Sequence, residues 1–144
     1  MPYSFNLITS NEKKEEDSSG ARIRRLRMDL NMTIKELAQL IEIRPKSLNR
    51  IELNQSIASL STLRKLSKIL KAPIWYLGYF ETLPENTFGQ KLQKARLYYG
   101  YTKKEFARIL NINEKTITNI EKDLHNPSPI TKKAILPYLK TLKQ

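Results

Sequence analysis

Two stretches of twenty residues share one pattern. Residues 33–52 read TIKELAQLIEIRPKSLNRIE, and residues 102–121 read TKKEFARILNINEKTITNIE. They align without a gap at an offset of 69 residues, and the alignment extends outward to begin at Gly20 and Gly89. Identical pairs at this offset include Arg27/Arg96, Thr33/Thr102, Lys35/Lys104, Glu36/Glu105, Ala38/Ala107, Ile43/Ile112, Lys46/Lys115, Ile51/Ile120, Glu52/Glu121, Ser59/Ser128 and Thr62/Thr131. A repeat at a fixed offset predicts two tandem copies of one structural unit.

Apolar residues within each copy recur at helical spacing. Ile23, Leu26 and Leu30 form one such series, and Leu37 and Ile41 belong to the next. The strict alternation that is typical of strands is absent. We therefore predict an all-α fold with four to five short helices in each copy.

Two threonines indicate where matching helices begin. Thr33 and Thr102 each precede a glutamate by three residues, Glu36 and Glu105. In a capping box the threonine oxygen accepts from the amide of the glutamate, whose carboxylate in turn accepts from the threonine amide. A small residue, Ala38 or Ala107, then stands in the middle of each predicted helix, where it allows the next helix to cross closely.

This spacing resembles the helix-turn-helix of the Cro and phage-repressor (XRE-type) family. The resembling positions run from Thr33 through Ala38 and Ile43 to Glu52, and again over residues 102–121, where Asn126-Pro127-Ser128 follows. The resemblance covers residues 20–80 and 87–136. It implies two tandem lambda-repressor-like domains, at residues 20–80 and 89–144, with a mobile polar tail at 1–19 and a linker at 81–88.

The resemblance also implies which helices contact DNA. Residues 45–52 and 114–121 correspond to the recognition helices, which enter the major groove in this family. Arginine, lysine, amide and hydroxyl side chains bind phosphates and base edges, whereas a glutamate accepts from cytosine N4. The predicted DNA-binding residues are Thr33, Arg44, Lys46, Ser47, Asn49, Arg50, Thr102, Lys103, Asn113, Glu114, Lys115, Thr118 and Asn119.

Further positions receive structural interpretations. By resemblance, Arg27 pairs with Glu52 and Arg96 pairs with Glu121 inside each domain. Glu42 and Asn111 stand where the family often has a turn glycine, and asparagine tolerates a left-handed conformation better than glutamate does. Pro137 is expected to break the last helix, because proline clashes with the preceding turn.

The net charge indicates a polyanionic partner. The chain has 26 Lys and Arg against 14 Asp and Glu, a net charge of +12. Residues 20–80 carry +8 and residues 81–144 carry +6. Such a field attracts nucleic acid or anionic membrane surfaces.

Composition excludes several other classes. There are no cysteines, and His125 is the only histidine, so thiol catalysis and Cys- or His-rich metal sites are excluded. No apolar run approaches the roughly 18 residues of a membrane span, and Met1–Gly20 lacks the pattern of a signal peptide. We predict a cytoplasmic protein that is not an enzyme, with no catalytic residues, cofactor, metal or membrane partner.

Two functions remain open at this point. The first is a sequence-specific transcriptional regulator, repressor-like, which binds double-stranded DNA as a monomer or a homodimer. The second keeps the fold but binds a protein, as an antitoxin or adaptor does. The apolar stretch 74–80 motivates this alternative, as does Pro45, which has no polar group to read a base.

Overall fold

The computed structural model describes residues 16–143, and within this range it contains helices, turns and loops but no strand. The predicted all-α class is confirmed for this part of the chain. The fold divides into two compact units, and the division falls between Tyr79 and Phe80. We call them unit 1 and unit 2 and describe each by itself.

The described part of unit 1 forms five helices. They are α1 (Ser19–Asp29), α2 (Ile34–Leu40), α3 (Pro45–Glu52), α4 (Leu60–Leu70) and α5 (Ile74–Leu77). Ser18, Thr33 and Ser59 cap α1, α2 and α4, each accepting from the amide three residues further on. These caps satisfy helix-start amides that have no partner within the helix. Of the predicted tail at 1–19, residues 1–15 lie outside the described residues, and α1 begins at Ser19.

One apolar core fills unit 1 and takes side chains from all five helices. Ala38 is completely buried in the middle of α2, where its small side chain lets α3 cross closely. Full burial of a large aliphatic side chain stabilises the fold by about 1.5–3 kcal/mol. The buried apolar residues are Ile23, Leu37, Ala38, Ile41, Leu48, Ile51, Ala58, Leu63, Leu66, Leu70, Ala72, Tyr76 and Leu77.

A buried ion pair joins α1 to the end of α3. Arg27 donates from Nε to Glu52 Oε2 (2.7 Å) and from Nη2 to Glu52 Oε1 (2.9 Å). Its Nη1 donates to the carbonyl of Met32 (2.7 Å), just before α2. The bond to Glu52 raises the pKa of the Arg27 guanidinium, which therefore stays charged. The predicted pair is confirmed.

The start of α1 lies against the end of α3. The amide of Gly20 donates to Asn54 Oδ1 (3.0 Å), and Asn54 Nδ2 donates to Ser18 Oγ (2.8 Å). A Cβ at Gly20 would lie 2.5 Å from the carbonyl oxygens of Ile51 and Glu52. Only glycine fits this contact, because real Cβ atoms do not approach backbone oxygens so closely.

Helix α5 is bound to α1 by an arginine side chain of α1. Arg22 donates to the carbonyl of Tyr76 (2.8 Å), and its guanidinium carbon lies 4.2 Å and 4.5 Å from the ring centroids of Tyr76 and Tyr79. Asp17 accepts two further bonds from Arg22, which lower the pKa of its carboxyl group. The segment that follows α4 is thereby fixed to α1.

The described part of unit 2 forms four α-helices and two short 3₁₀ segments. The helices are α6 (Phe88–Tyr99), α7 (Lys103–Leu110), α8 (Glu114–Glu121) and α9 (Pro129–Leu139), and the 3₁₀ segments are Phe80–Thr82 and Lys140–Lys143. Its core contains Leu92, Ala95, Phe106, Ala107, Ile117, Ile120 and Ile135. Tyr101 and Tyr138 pack on Phe106, with ring centroids 5.9 Å and 5.1 Å away.

The contacts that join α1 to α3 have counterparts in unit 2. Arg96 donates to Glu121 through Nε (2.9 Å) and Nη2 (3.0 Å), and to the carbonyl of Tyr101 (2.9 Å). This second predicted ion pair is therefore also confirmed. The amide of Gly89 donates to Asp123 Oδ1 (3.0 Å), and a Cβ there would collide with the carbonyl oxygen of Ile120.

The segment before α6 contacts that helix. Lys94 is buried, and its ammonium donates to the carbonyl of Glu81 (3.1 Å) and pairs with Glu85 (3.0 Å). Burial, with Glu81 and Glu85 nearby, raises the pKa of Tyr98. The predicted linker, residues 81–88, thus includes residues that bind α6, and Phe88 is the first residue of that helix.

Pro137 does not break α9, contrary to the sequence expectation. The helix runs from Pro129 to Leu139 and includes Pro137 in its last turn. Proline has no amide hydrogen, so the helix loses only one of its backbone hydrogen bonds at this residue. Tyr138 is held by the rings of Phe106 and Tyr99, which fixes the helix beyond the proline.

Between residues 16 and 143, none of the helices has the length and apolarity that a bilayer span requires. In the same range, no group of three or more His, Cys, Asp and Glu side chains could hold a metal ion.

We expect Arg27→Met to lower the free energy of unfolding of unit 1 by about 3–5 kcal/mol, because Glu52 would stay buried without its cation. Trp75, the only tryptophan, lies in α5, so its fluorescence during urea denaturation reports on unit 1. Lys68→Met removes a cation from an exposed position on α4 and is the control. Equal urea midpoints for the two variants would contradict the role assigned to the pair.

Candidate nucleic-acid interface

A tight turn sets α3 across α2, and a similar turn sets α8 across α7. Glu42 has φ 59° and Asn111 has φ 55°, so both occupy the left-handed region. The amide of Ile43 donates to the carbonyl of Ala38 (3.0 Å), which closes the first turn. A left-handed conformation strains residues that have a β-carbon, and asparagine tolerates it better than glutamate. The turn in unit 1 is therefore the more strained of the two.

Helices α3 and α8 coincide with the predicted recognition helices, residues 45–52 and 114–121. Leu48 and Ile51 fix one face of α3 in the core, as Ile117 and Ile120 fix one face of α8. The ion pairs to Arg27 and Arg96 hold their C-terminal ends. The opposite face of each helix is consequently turned to solvent.

The solvent face of α3 presents cations and short polar groups together. The five predicted site residues in this region are all exposed: Arg44, Lys46, Ser47, Asn49 and Arg50. Arg44 is the N-cap residue but makes no side-chain cap, and Pro45 occupies the first turn. Its guanidinium is thus not used to start the helix. A cationic helix face with amide and hydroxyl groups can bind phosphates and base edges.

The solvent face of α8 is polar with little net charge. Asn113, Glu114 and Lys115 are exposed, whereas Thr118 and Asn119 are half-buried. Asn113 caps the helix by accepting from the amide of Lys115 (2.8 Å), and the hydroxyl of Thr118 donates to the carbonyl of Glu114 (3.3 Å). These bonds restrict two of the short side chains on this face.

The two cap threonines differ in detail. Thr102 and Glu105 form the complete capping box, with bonds of 3.1 Å and 3.0 Å. Thr33 accepts from the amide of Glu36 (3.1 Å), but its own hydroxyl donates to the Glu36 carboxylate (3.0 Å). The second half of the predicted box in α2 is thus replaced by a bond between side chains. Thr33 is exposed, and Thr102 and the adjacent Lys103 are half-buried.

Two further cations belong to the starts of α2 and α7. Lys35 and Lys104 are exposed, each in the first turn of its helix. The helix-turn-helix pattern does not indicate them, since it constrains the apolar and capping positions. The sequence signal that points to these two lysines is that the same residue type occurs in both copies at the 69-residue offset.

The apolar stretch that motivates a protein-binding alternative is partly buried. Tyr76 and Leu77 are buried in the core, and Ile74, Trp75 and Tyr79 are half-buried. Trp75 packs edge-on against Tyr76, with ring centroids 6.1 Å apart. Two of its side chains therefore belong to the core, and the others keep part of their surface exposed.

Comparison with known proteins shows that part of the chain is similar to one family. Residues 23–75 match a family described as helix-turn-helix. The match extends from α1 into α5 and includes all of α2 and α3. It indicates a DNA-binding regulator. Neither the curated proteins nor the solved structures gave a match.

We expect Glu42→Gly to raise the free energy of unfolding of unit 1 by about 0.5–1 kcal/mol, because glycine adopts a left-handed conformation without strain. Urea denaturation followed by Trp75 fluorescence measures this change. The corresponding variant in unit 2, Asn111→Gly, should show a smaller increase in the free energy of unfolding. Denaturation followed by circular dichroism measures it. A loss of stability in Glu42→Gly would mean that the turn is not strained.

Proposed function

We propose that the chain is a sequence-specific DNA-binding transcriptional regulator, repressor-like, built from two tandem lambda-repressor-like helix-turn-helix domains. The observation that carries this proposal is the exposed cationic face of α3. It lies within the segment that matches the helix-turn-helix family, on the helix that follows the tight turn. Cations, an amide and a hydroxyl group side by side on an exposed helix face can bind both phosphates and base edges.

The internal contacts of unit 2 support a second domain of the same kind. Arg96, Glu121 and Gly89 make the same types of contact as Arg27, Glu52 and Gly20. Asn111 adopts the same left-handed conformation as Glu42. These contacts place the ends of α6 and α8 against each other within unit 2, which leaves the polar face of α8 outward.

In the proposed complex, α3 and α8 enter the major groove of double-stranded DNA. Lys46 and Asn49 on α3, and Lys115 and Thr118 on α8, would contact base edges. Thr33 and Thr102, at the starts of the preceding helices, would bind backbone phosphates together with helix-start amides. The other predicted site residues complete these two surfaces.

The proposed regulator acts by occupying DNA in the cytoplasm. It requires no catalytic residue, cofactor or metal, and its partner is double-stranded DNA. Lys and Arg side chains displace counterions from the phosphates, so affinity falls as salt concentration rises. Whether one chain or a homodimer occupies a site would follow from the stoichiometry of the complex in sedimentation experiments.

A selection from fragmented genomic DNA tests this proposal. The purified chain is incubated with the fragments at about 150 mM salt, where non-specific binding is already weakened, and the bound fragments are sequenced. We expect an enriched motif. In the double variant Lys115→Ala, Thr118→Ala the motif should relax at a few positions, because each base contact is worth about 1–3 kcal/mol of discrimination.

Lys133→Ala provides the charge control, since Lys133 is exposed on α9 and lies outside the proposed interface. This variant should retain the motif. Uniform weak binding of the wild-type chain, with no enriched motif, would contradict a sequence-specific regulator and favour a protein-binding module.

A further inference from the structure

We infer that the two units contribute unequally to DNA binding: unit 1 supplies most of the affinity for DNA of any sequence, and unit 2 supplies most of the selection between sequences. This inference rests on the proposed function, since it assigns different roles to the two recognition helices. It concerns the chemistry of each helix face and does not depend on how the units are arranged.

The first argument is the charge of the two faces. Between residues 44 and 51, the exposed face of α3 contains three cations, Arg44, Lys46 and Arg50, and no carboxylate. Between residues 113 and 120, the face of α8 contains one cation, Lys115, and one carboxylate, Glu114. Cations bind the uniform phosphate backbone irrespective of sequence. The face of α3 is therefore suited to the backbone, and the neutral face of α8 gains little from it.

The second argument is the first residue of each helix. Pro45 begins α3 and has no hydrogen-bonding group in its side chain. Glu114 begins α8, where its exposed carboxylate is repelled by phosphates but can accept from cytosine N4. A carboxylate at this position lowers the affinity for DNA in general and raises the relative affinity for a suitable base. Glu114 is in this respect a specificity-determining residue.

The third argument is the freedom of the side chains. Arg44, Lys46 and Arg50 are long and exposed, so they can follow phosphates at different positions. Thr118 and Asn119 are short and half-buried, and the hydroxyl of Thr118 is bonded to the carbonyl of Glu114. Donors and acceptors that are already held in place discriminate between bases at a smaller cost of conformational entropy than flexible side chains do.

Two sets of substitutions separate the roles. Arg44→Gln, Lys46→Gln and Arg50→Gln together remove three cations from α3 and retain long polar side chains. Thr118→Ala with Asn119→Ala removes polar groups from α8 without changing the charge. The full-length chain and both variants are titrated by fluorescence anisotropy with two duplexes, over a series of salt concentrations. One duplex carries the sequence that the wild-type chain enriches, and the other is a scrambled duplex of equal composition.

For the α3 variant, we expect the affinity for both duplexes to fall by similar factors, so that the ratio of the two affinities changes much less than in the α8 variant. The slope of log affinity against log salt concentration should become shallower by about 2–3, since each lost phosphate contact contributes about 0.9. For the α8 variant, the salt slope should not change. Its ratio of affinities, selected over scrambled duplex, should fall about tenfold or more.

Glu114→Gln tests the carboxylate separately and also serves if the α8 double variant does not fold. It should increase binding to the scrambled duplex and reduce the ratio of the two affinities. Asp29→Asn is the matched control, because it makes the same change of charge at an exposed position at the end of α1. This control should leave the ratio unchanged.

Two results would overturn the division of roles while leaving the proposed function intact. In one, the α3 variant loses the ratio of affinities as the α8 variant does. In the other, the α8 variant and Glu114→Gln both keep the wild-type ratio. If instead the wild-type chain enriches no sequence in the selection, the proposed function itself fails.

Discussion

A buried guanidinium-carboxylate pair fixes the outward-facing helix in each unit. In unit 1, Arg27 on α1 binds the last residue of α3 and also the carbonyl just before α2. One side chain thus sets the relation of three helices, because all its bonds point in fixed directions of a planar group. Burying the pair costs desolvation free energy, which several good hydrogen bonds offset. The direction in which α3 presents its polar face depends on this arrangement, and Arg96 has the corresponding position in unit 2.

In each unit the start of the first helix lies against the end of the third helix. This contact explains why the residues at these two places are small or polar. Gly20 and Gly89 lie so close to backbone carbonyls that a methyl group would not fit. Asn54 and Asp123 each bind the amide of the nearby glycine. Each of the two units is therefore closed at this corner by backbone contacts. The exposed faces of α3 and α8 take no part in these contacts, and they differ in charge.

The elements that depend on local signals could be predicted from the sequence. The bounds of α3 and α8 follow from the spacing of buried residues, and the starts of α2 and α7 follow from Thr33 and Thr102. Other features depend on tertiary contacts that no local pattern encodes. Pro137 stays inside α9 because Tyr138 packs on Phe106 and Tyr99. The binding of residues 81–85 by Lys94 has no sequence signature, because a lysine is normally exposed. The roles of the predicted DNA-binding residues stay predictions.

The charged side chains that lie outside the structural ion pairs are more strongly cationic, as a group, than the composition of the chain. Between residues 16 and 143 the chain has 24 Lys and Arg and 12 Asp and Glu. Four of each are engaged in pairs whose cation is buried, those of Arg22, Arg27, Lys94 and Arg96. A third of the carboxylates is thereby used, but only a sixth of the cations. For the proposed regulator this has a kinetic consequence, because non-specific attraction allows a protein to slide and hop along the duplex. The search for a preferred site then proceeds along the DNA itself rather than by repeated collisions from solution.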